Sequence, residues 1–266
     1  MNRKDGIAEL LEKKNYNFED LVAIMKLLRA EDGCPWDREQ THKSIRNNLI
    51  EETYEVIEAI DKEDPVLLRE ELGDVMLQVV FHSQIAEEEG QFDVGNVTDE
   101  ICRKLIHRHP HIFGNVNVNN SEEVLKNWEI IKSEEKERRT ITDKLNAVPR
   151  MLPALMRATK VGKKASCFDF PDVASAMDKV SEELAEVSDA LTEGNQDTVC
   201  EELGDLLLSV TSLCRKAGVD AETALNVATD KFIERFEKTE NEVTHRQKTM
   251  SECTLEELNQ IWEQIK

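Results

Sequence analysis

The chain contains the same motifs twice, in the same order, and this duplication constrains its fold more than any other feature. Two acidic motifs recur 131 residues further on: EExxE at Glu51–Glu55 and Glu182–Glu186, and EELGD at Glu70–Asp74 and Glu201–Asp205. Three shorter pairs keep the order: AIMK at 23–26 with ALMR at 154–157, KLIHR at 104–108 with KFIER at 231–235, and NWEIIK at 127–132 with IWEQIK at 261–266. Because repeated order over half a chain indicates a repeated structural unit, we expect an internal duplication.

The duplication divides the chain into regions. We expect an N-terminal extension at 1–17, a first unit at 18–138, a linker at 139–149 and a second unit at 150–266. A length of 266 residues suits two domains, since a domain typically holds about 100–200 residues. The charged stretch SEEKERRTITDK, at 133–144, leads into the boundary.

Both units are predicted to be all-α. Glycine and proline are few, at 10 and 6 residues, and apolar residues recur at i, i+3 and i+4 rather than in alternation. The predicted helices are 18–31, 41–61, 65–89, 97–108 and 121–138, echoed at 150–165, 173–192, 196–216, 220–247 and 254–265. Asp64-Pro65 is typical of a helix start and Gly194-Asn195 of a helix stop. Because both connections are short, the two motif-bearing helices of each unit should pack antiparallel.

Each acidic motif of the first unit should place one carboxylate on the apolar side of its helix. On a helical wheel Glu52 and Glu71 fall inside the apolar arcs of their helices. Glu55 and Asp74 lie at the margins of the same arcs. The remaining acids, Glu51 and Glu70, point away. The two helices should therefore direct four carboxylates into the seam between them.

In the second unit the same construction places Glu183 and Glu202 among apolar residues. Clustered carboxylates repel one another unless cations lie between them. Oxygen-only ligands favour Mg²⁺ or Mn²⁺ over zinc, and over di-iron sites that use Glu-x-x-His. Mg²⁺ held in this way keeps positions for water and phosphates, which indicates phosphoanhydride chemistry. The alternative interpretation is that these acids are solvated surface residues of a very acidic chain.

The glycine of each EELGD motif, Gly73 and Gly204, is unusual because glycine inside a helix costs about 1 kcal/mol relative to alanine. On the wheel it lies roughly 160° from the inward glutamate, so it should not touch a metal. We expect each glycine to mark a close approach by another helix, for example across a dimer interface.

The net charge of -21 excludes some partners. Such a chain should repel nucleic-acid polymers and anionic membranes, because phosphate contacts need Lys and Arg. The six cysteines are scattered without a CxxC pair, as expected in a reducing cytosol. The N-terminus has no apolar core of signal-peptide length, and no run approaches the ~18 apolar residues of a membrane span. We therefore expect a cytoplasmic protein without a membrane segment.

The paired motifs resemble those of the MazG family of nucleoside triphosphate pyrophosphohydrolases, within the all-α NTP pyrophosphatase superfamily. The stretches GCPWDREQTHKSIRNNLIEETYEVIEAI, at Gly33–Ile60, and RHPHIFG, at Arg108–Gly114, also look like the N-terminal unit of that family. The resemblance covers nearly the whole chain, tandem arrangement included. It implies Mg²⁺-dependent hydrolysis of nucleoside triphosphates to monophosphates and pyrophosphate, broad base tolerance, and a homodimer of four-helix-bundle-type units. Nucleotide-pool cleaning or stress nucleotide control is the implied role.

The resemblance also assigns roles in the second unit, where it places the main activity. It implies that the metals are bound by Glu183, Glu186, Glu202 and Asp205. Glu186 or Glu183 would accept a proton from the attacking water. The triphosphate would be contacted by Lys231, Arg235 and, with weaker support, Lys179. Trp262 would stack on the base, which favours tolerance because any base has a face to stack on.

The first unit keeps the corresponding residues, which are Glu52, Glu55, Glu71, Asp74, Lys104, Arg108 and Trp128. It is therefore a candidate second or regulatory metal site. His107, His109 and His111 alternate around Pro110 and are either ordinary loop histidines or a metal cluster. Two other functions stay open: an enzyme narrowed to dUTP, dCTP or phosphoribosyl-ATP, and a metal-binding helical interaction protein without turnover.

Overall fold

The structure is a computed structural model that describes residues 3–135 and 140–265. The chain divides into two compact parts, unit one at Met1–Lys132 and unit two at Ser133–Lys266. The boundary predicted between the first unit and the linker, at 138 and 139, lies outside the described residues.

Every regular element in the described ranges is a helix, which confirms the all-α prediction. The first half contains α1 (Arg3–Glu12), α2 (Phe18–Arg29), α3 (Pro35–Glu39), α4 (Arg46–Asp61), α5 (Pro65–Glu88), α6 (Val94–Arg108), α7 (Pro110–Phe113) and α8 (Ser121–Glu135). The second half contains α9 (Ile141–Asn146), α10 (Ala154–Lys164), α11 (Val173–Glu193), α12 (Gln196–Lys216), α13 (Ala221–His245) and α14 (Leu255–Gln264). Short 3₁₀ turns lie at Ser166–Phe168 and Met250–Glu252.

The two motif-bearing hairpins begin and end at the predicted signals. Asp64 caps α5, with its Oδ1 accepting from the backbone N–H groups of Val66 and Leu67, and Pro65 occupies the first helical position. Gly194 ends α11 in the left-handed conformation, at φ 75°. Asn195 then caps α12 through the N–H of Asp197. Such short connections fold α4 onto α5 and α11 onto α12.

The interior of unit one lies where α2 and the start of α4 meet α5. Its buried core consists of Met25, Ile45, Val80, Phe81 and Ile85. In unit two, α11 and α12 pack along each other through small and branched side chains. The buried members of that seam are Ala176, Val187, Ala190 and Val199. Small residues let the two helices approach closely, and this brings polar groups on facing turns together.

Each hairpin leaves one apolar stripe in solvent. On α5 the stripe is Leu72, Met76 and Val79, and 131 residues later α12 repeats it as Leu203, Leu207 and Val210. These three positions share a helix face, since they are spaced i, i+4 and i+7. Stripes also lie on the partner helices, with Ile50, Tyr54 and Ile57 on α4 and Met177, Leu184 and Leu191 on α11. Apolar stripes of this kind are typical of helices that pack against something further.

Gly73 and Gly204 correct one expectation. A Cβ added at either position would meet nothing within 4 Å, so no other helix of the described chain approaches them closely. Helices α5 and α12 carry these glycines without an internal packing reason. A close approach by a helix of a second molecule stays a prediction.

Two histidines of unit one form a hydrogen-bonded pair that the sequence did not indicate. His42, in the turn before α4, and His82, on α5, lie with their Nδ1 atoms 2.8 Å apart. The rings are parallel to 4° with centroids 5.1 Å apart. That separation equals the nitrogen distance plus roughly two ring radii, so the rings meet edge to edge rather than face to face. One ring donates its Nδ1–H to the other, and a second proton between them would place two cations in contact.

The histidine pair should make unit one sensitive to mild acid. Burial, and then the neighbouring His42, lower the pKa of His82 below its ordinary value of 6.5. The unfolded chain therefore takes up a proton first, and unfolding free energy should fall as pH drops below about 6.5. Unit two has Val173 and Leu213 at the corresponding positions.

Replacing both histidines with the unit-two residues, as His42→Val with His82→Leu, should remove this part of the pH dependence. Denaturant unfolding at pH 7.5 and 5.5 measures it, because the carboxylates titrate alike in both proteins. An equal pH effect in the variant and the wild type would contradict the assignment.

Candidate metal and nucleotide site

Three carboxylates meet in the seam of the unit-two hairpin. Glu183 and Glu186, one turn apart on α11, and Glu202, on α12, each bring an oxygen within 4.8 Å of the other two. Glu183 is reached along the buried stripe of α11, four residues before Val187 and seven after Ala176. Glu186 is exposed, whereas Glu202 is partly buried. Glu201, the first residue of the EELGD motif, is exposed, as Glu51 and Glu70 are in unit one.

Glu183 is the most constrained member of this cluster. Only 5% of the residue is exposed. Its Oε1 is 2.8 Å from the Lys179 ammonium, one turn earlier on α11. Its Oε2 is buried and has no hydrogen-bond partner among the described residues. A buried acceptor without a partner is costly, and a cation at the centre of the three carboxylates would satisfy it.

The cluster also changes the protonation of Glu186. Desolvation by the helix seam, and then the negative charge of Glu183, raise the pKa of Glu186 above its ordinary value. Lys179 partly opposes this shift. Perturbed pKa values of this kind cluster at functional sites, where they adjust a carboxylate for proton transfer.

Unit one builds the same cluster from Glu52, Glu55 and Glu71, whose oxygens also lie within 4.8 Å of one another. Desolvation and a hydrogen bond with Glu55 raise the pKa of Glu52. Desolvation, followed by the charge of Glu55, raises the pKa of Glu71. The nearby charge of Asp74 contributes to both shifts. Both shifts have the direction expected for carboxylates crowded into a helix seam.

Asp205 is not a member of the three-carboxylate cluster of unit two. It lies one turn after Glu202 on α12 and is exposed, whereas its counterpart Asp74 is partly buried. The cluster of mutually close oxygens contains the other three predicted ligands and not Asp205. Its role as a metal ligand stays a prediction.

The predicted substrate residues form a second group, at the contact of α13 with α14. Arg235 donates two hydrogen bonds to the backbone carbonyl of Trp262, and its guanidinium lies 4.2 Å from the centre of the indole ring. Phe232 adds a tilted ring contact to the indole at 5.2 Å. Lys231, one turn before Arg235, is exposed. No hydrogen bond or ion pair in the described ranges joins Lys231 or Arg235 to the three carboxylates.

Unit one repeats the arginine–tryptophan contact. Arg108 lies 5.4 Å from the ring centre of Trp128, and Lys132 approaches the same ring at 4.4 Å. Lys104 instead pairs with Glu100, one turn away. The contact of an arginine with the tryptophan of the following helix is therefore part of the duplicated unit.

Two features of unit two were missed from the sequence. Asp169 receives two 2.6 Å hydrogen bonds from Arg215 and a 2.7 Å contact from Lys216, which hold the pKa of Asp169 well below its ordinary range. This clamp ties the segment before α11 to the end of α12. The pairing of Lys179 with Glu183 was also missed, although an i, i+4 spacing signals it. Unit one has Asn48 at the position of Lys179.

The donor set suits a hard divalent cation. All three clustered side chains offer carboxylate oxygens, which Mg²⁺ and Mn²⁺ prefer. The unsatisfied Glu183 Oε2 supports a bound cation over a chance cluster of surface acids. The three loop histidines do not belong to a comparable group among the described residues.

None of the described helices is both long and apolar enough to cross a membrane.

The chain is similar to a known domain family and to several known proteins. The model of the MazG nucleotide pyrophosphohydrolase domain matches residues 40–113 and 171–239, once in each unit. Nucleoside triphosphate pyrophosphohydrolase of Escherichia coli K12 is 44% identical over 251 residues, covering 92% of this chain and 95% of that protein. Nucleoside triphosphate pyrophosphohydrolase/pyrophosphatase MazG of Thermotoga maritima is 43% identical, covering 94% and 95%.

Two further matches are partial. The uncharacterized protein YabN of Bacillus subtilis is 40% identical, covering 94% of this chain and 52% of YabN. The crystal structure of a mazG-related protein from Thermotoga maritima aligns with a TM-score of 0.38 at 29% identity, covering 43% of this chain and 98% of that one. The domain match in both units and the near full-length relatives show that the chain belongs to the MazG family of nucleotide pyrophosphohydrolases.

Proposed function

We propose that this chain hydrolyses nucleoside triphosphates to nucleoside monophosphates and pyrophosphate at the carboxylate cluster of unit two, with Mg²⁺ or Mn²⁺ as its cofactor. The observation that carries the proposal is the buried Glu183, which lies in a cluster with two further carboxylates and whose Oε2 has no hydrogen-bond partner among the described residues. Relatives of nearly equal length are named for this activity.

The three carboxylates would hold the cation, with Asp205 as a fourth ligand. When bound, the cation supplies charge neutralisation of the phosphates and a polarised water. Glu186 fits the role of proton acceptor better than Glu183, because Glu186 is exposed and the nearby carboxylates raise its pKa. Glu183, which is buried in the helix seam, fits the role of a fixed ligand.

The cationic residues would bind the phosphates. In a chain of net charge -21, an anionic substrate needs local positive charge. Lys231 and Arg235 share one face of α13, since they are four residues apart. Arg235 also holds Trp262 in place, so phosphate binding and base stacking would be linked through one side chain.

The base would stack on Trp262. An indole face accepts purines and pyrimidines alike, and this supports broad base tolerance over selection of one nucleotide. Such tolerance suits nucleotide-pool cleaning or stress nucleotide control. Pyrophosphate release, measured with Mg²⁺ for every ribo- and deoxyribonucleoside triphosphate, tests the proposal. Comparable kcat/KM values across bases are expected, and turnover of only dUTP, dCTP or phosphoribosyl-ATP would overturn the broad assignment.

Unit one is expected to contribute little turnover, because the resemblance places the main activity in unit two. The variant Glu71→Gln removes one charge from the unit-one cluster and keeps the side-chain shape. We expect kcat to stay unchanged within experimental error, whereas loss of one of two equal sites would halve it. A loss of half the turnover would show that both units work independently, which steady-state pyrophosphate release at saturating nucleotide resolves.

We also propose that the active form is a homodimer. The apolar stripes of α11 and α12 are half-exposed, and α4 and α5 carry exposed apolar stripes as well. Two hairpins facing each other through these stripes would form a four-helix bundle and bury them. A second copy of the chain has the same stripes and therefore fits this face.

A further inference from the structure

We infer that Lys179 is an exchangeable counter-ion of the unit-two site: it neutralises Glu183 when no divalent cation is bound and moves to the substrate phosphates when one binds. This inference rests on the proposed function and adds to it a coupling between cation and nucleotide.

Lys179 lies at the edge of the helix seam, where its side chain can turn to solvent, whereas Glu183 lies inside the seam. The ammonium is 2.7 Å from Glu182 Oε1 and 2.8 Å from Glu183 Oε1. The lysine side chain is 34% exposed, whereas the Glu183 side chain is 7% exposed. A lysine on a flexible stem at the edge of the seam can turn towards solvent. The Glu183 carboxylate remains among the helices.

Unit one shows that the fold does not require this lysine. Its equivalent hairpin has Asn48 at the same position, 131 residues earlier. There Glu52 is hydrogen-bonded by Glu55 instead of by an ammonium. The two units thus share the helix pair and the three carboxylates. They differ because only unit two places a lysine ammonium on its buried glutamate. The difference points to a role in binding rather than in folding.

An ammonium on Glu183 opposes a divalent cation at the same carboxylate. Lys179 pairs with Oε1 of Glu183, and the ion would take the unpartnered Oε2. The two positive charges would then repel each other across one carboxylate, and withdrawal of Lys179 would relieve this repulsion. A triphosphate offers the withdrawn ammonium a new anionic partner. Cation and nucleotide should therefore each favour binding of the other, and by linkage the coupling is reciprocal.

The test compares Lys179→Asn, which copies unit one, with the wild type. Both proteins carry Glu52→Gln and Glu71→Gln, so that unit one does not contribute. Mn²⁺ binding without nucleotide is followed by electron paramagnetic resonance of the free ion. Binding of the Mn²⁺ complex of an α,β-methylene triphosphate analogue is followed by calorimetry. Glu182→Gln is the matched control, since it removes the exposed partner of Lys179 and leaves Glu183 paired.

The two affinities should change in opposite directions. Without nucleotide, Lys179→Asn should bind Mn²⁺ about five- to tenfold more tightly, because the competing ammonium is gone. The Mn²⁺–analogue complex should bind about five- to tenfold more weakly, because a phosphate partner is lost. The control should show neither change.

Nucleotide-free Mn²⁺ affinity that is unchanged or weaker in Lys179→Asn would overturn the inference. A merely structural role would weaken both affinities together. Lys179→Gln repeats the test with a better helix former, in case asparagine disturbs α11. If the proposed function is wrong, the result is different. Unit two of the wild type would then bind no Mn²⁺, or its Mn²⁺ binding would be unaffected by Glu202→Gln.

Discussion

Replacing Glu202 by Gln is expected to lower the rate of pyrophosphate release about 100-fold or more, while the protein keeps its helical content and unfolding midpoint. Glu202 is the only carboxylate that α12 contributes to the cluster of mutually close oxygens in the described part of unit two. The amide keeps the shape of the side chain and removes its charge. Since even residues behind a metal ligand cost 10–100-fold when replaced, loss of a ligand should cost at least about that much.

The neighbouring Glu201→Gln variant is the matched control. Glu201 belongs to the same EELGD motif and lies on the same helix, but its side chain is exposed. Its turnover should stay within about twofold of the wild type, as is usual for exposed surface positions. Unchanged turnover in Glu202→Gln would remove the carboxylate cluster of unit two from the mechanism.

Replacing Leu207 by Asp is expected to separate the homodimer into single chains. Leu207 lies in the middle of the α12 stripe and is 58% exposed within one chain. Packing against a second copy would bury it. A buried carboxylate without a partner is costly, so the dimer dissociation constant should rise by about 100-fold or more.

Light scattering coupled to size-exclusion chromatography measures this result across a range of protein concentrations. Leu255→Asp is the control, because Leu255 is 71% exposed at the start of α14 and lies on neither hairpin. That variant should keep the wild-type mass. A wild-type chain that is monomeric at micromolar concentration, or a dimeric Leu207→Asp, would contradict the homodimer.

The sequence predicted the long helices well, because apolar residues recur at helical spacing and several of these helices have a recognisable cap. Asp64-Pro65 and Gly194-Asn195 begin or end helices where they were expected to. The short helices α3 and α7 were missed, since four or five residues are too few to show a period. Helix α4 begins at Arg46 rather than at 41, because the preceding residues form turns bonded by the Thr41 and Ser44 side chains.

The inward and outward carboxylates were also predictable, because a helical wheel needs only the residue spacing. What the wheel cannot give is contact between side chains on different turns. The structure shows that the oxygens of Glu183, Glu186 and Glu202 lie within 4.8 Å of one another, which the wheel alone does not give. The wheel also gave no sign that Arg235 and Trp262 contact each other, since they belong to separate helices.

The helix that Gly73 and Gly204 were expected to approach is not part of the described chain. An unusual residue inside a helix suggests a close neighbour, but the neighbour is not written near it in the sequence. Gly73 and Gly204 have open space around them within the described chain. The histidine pair shows the reverse case, in which His42 and His82 meet across 40 residues without a local motif.

The central claim is that unit two cleaves the triphosphate so that two phosphates leave together. Phosphorus nuclear magnetic resonance of the wild-type protein with ATP and Mg²⁺ tests it most directly, because it distinguishes every product. We predict AMP and pyrophosphate in equal amounts, with the signal abolished in Glu202→Gln and retained in Glu201→Gln. ADP and orthophosphate as the products, or no hydrolysis of any nucleoside triphosphate, would contradict the account.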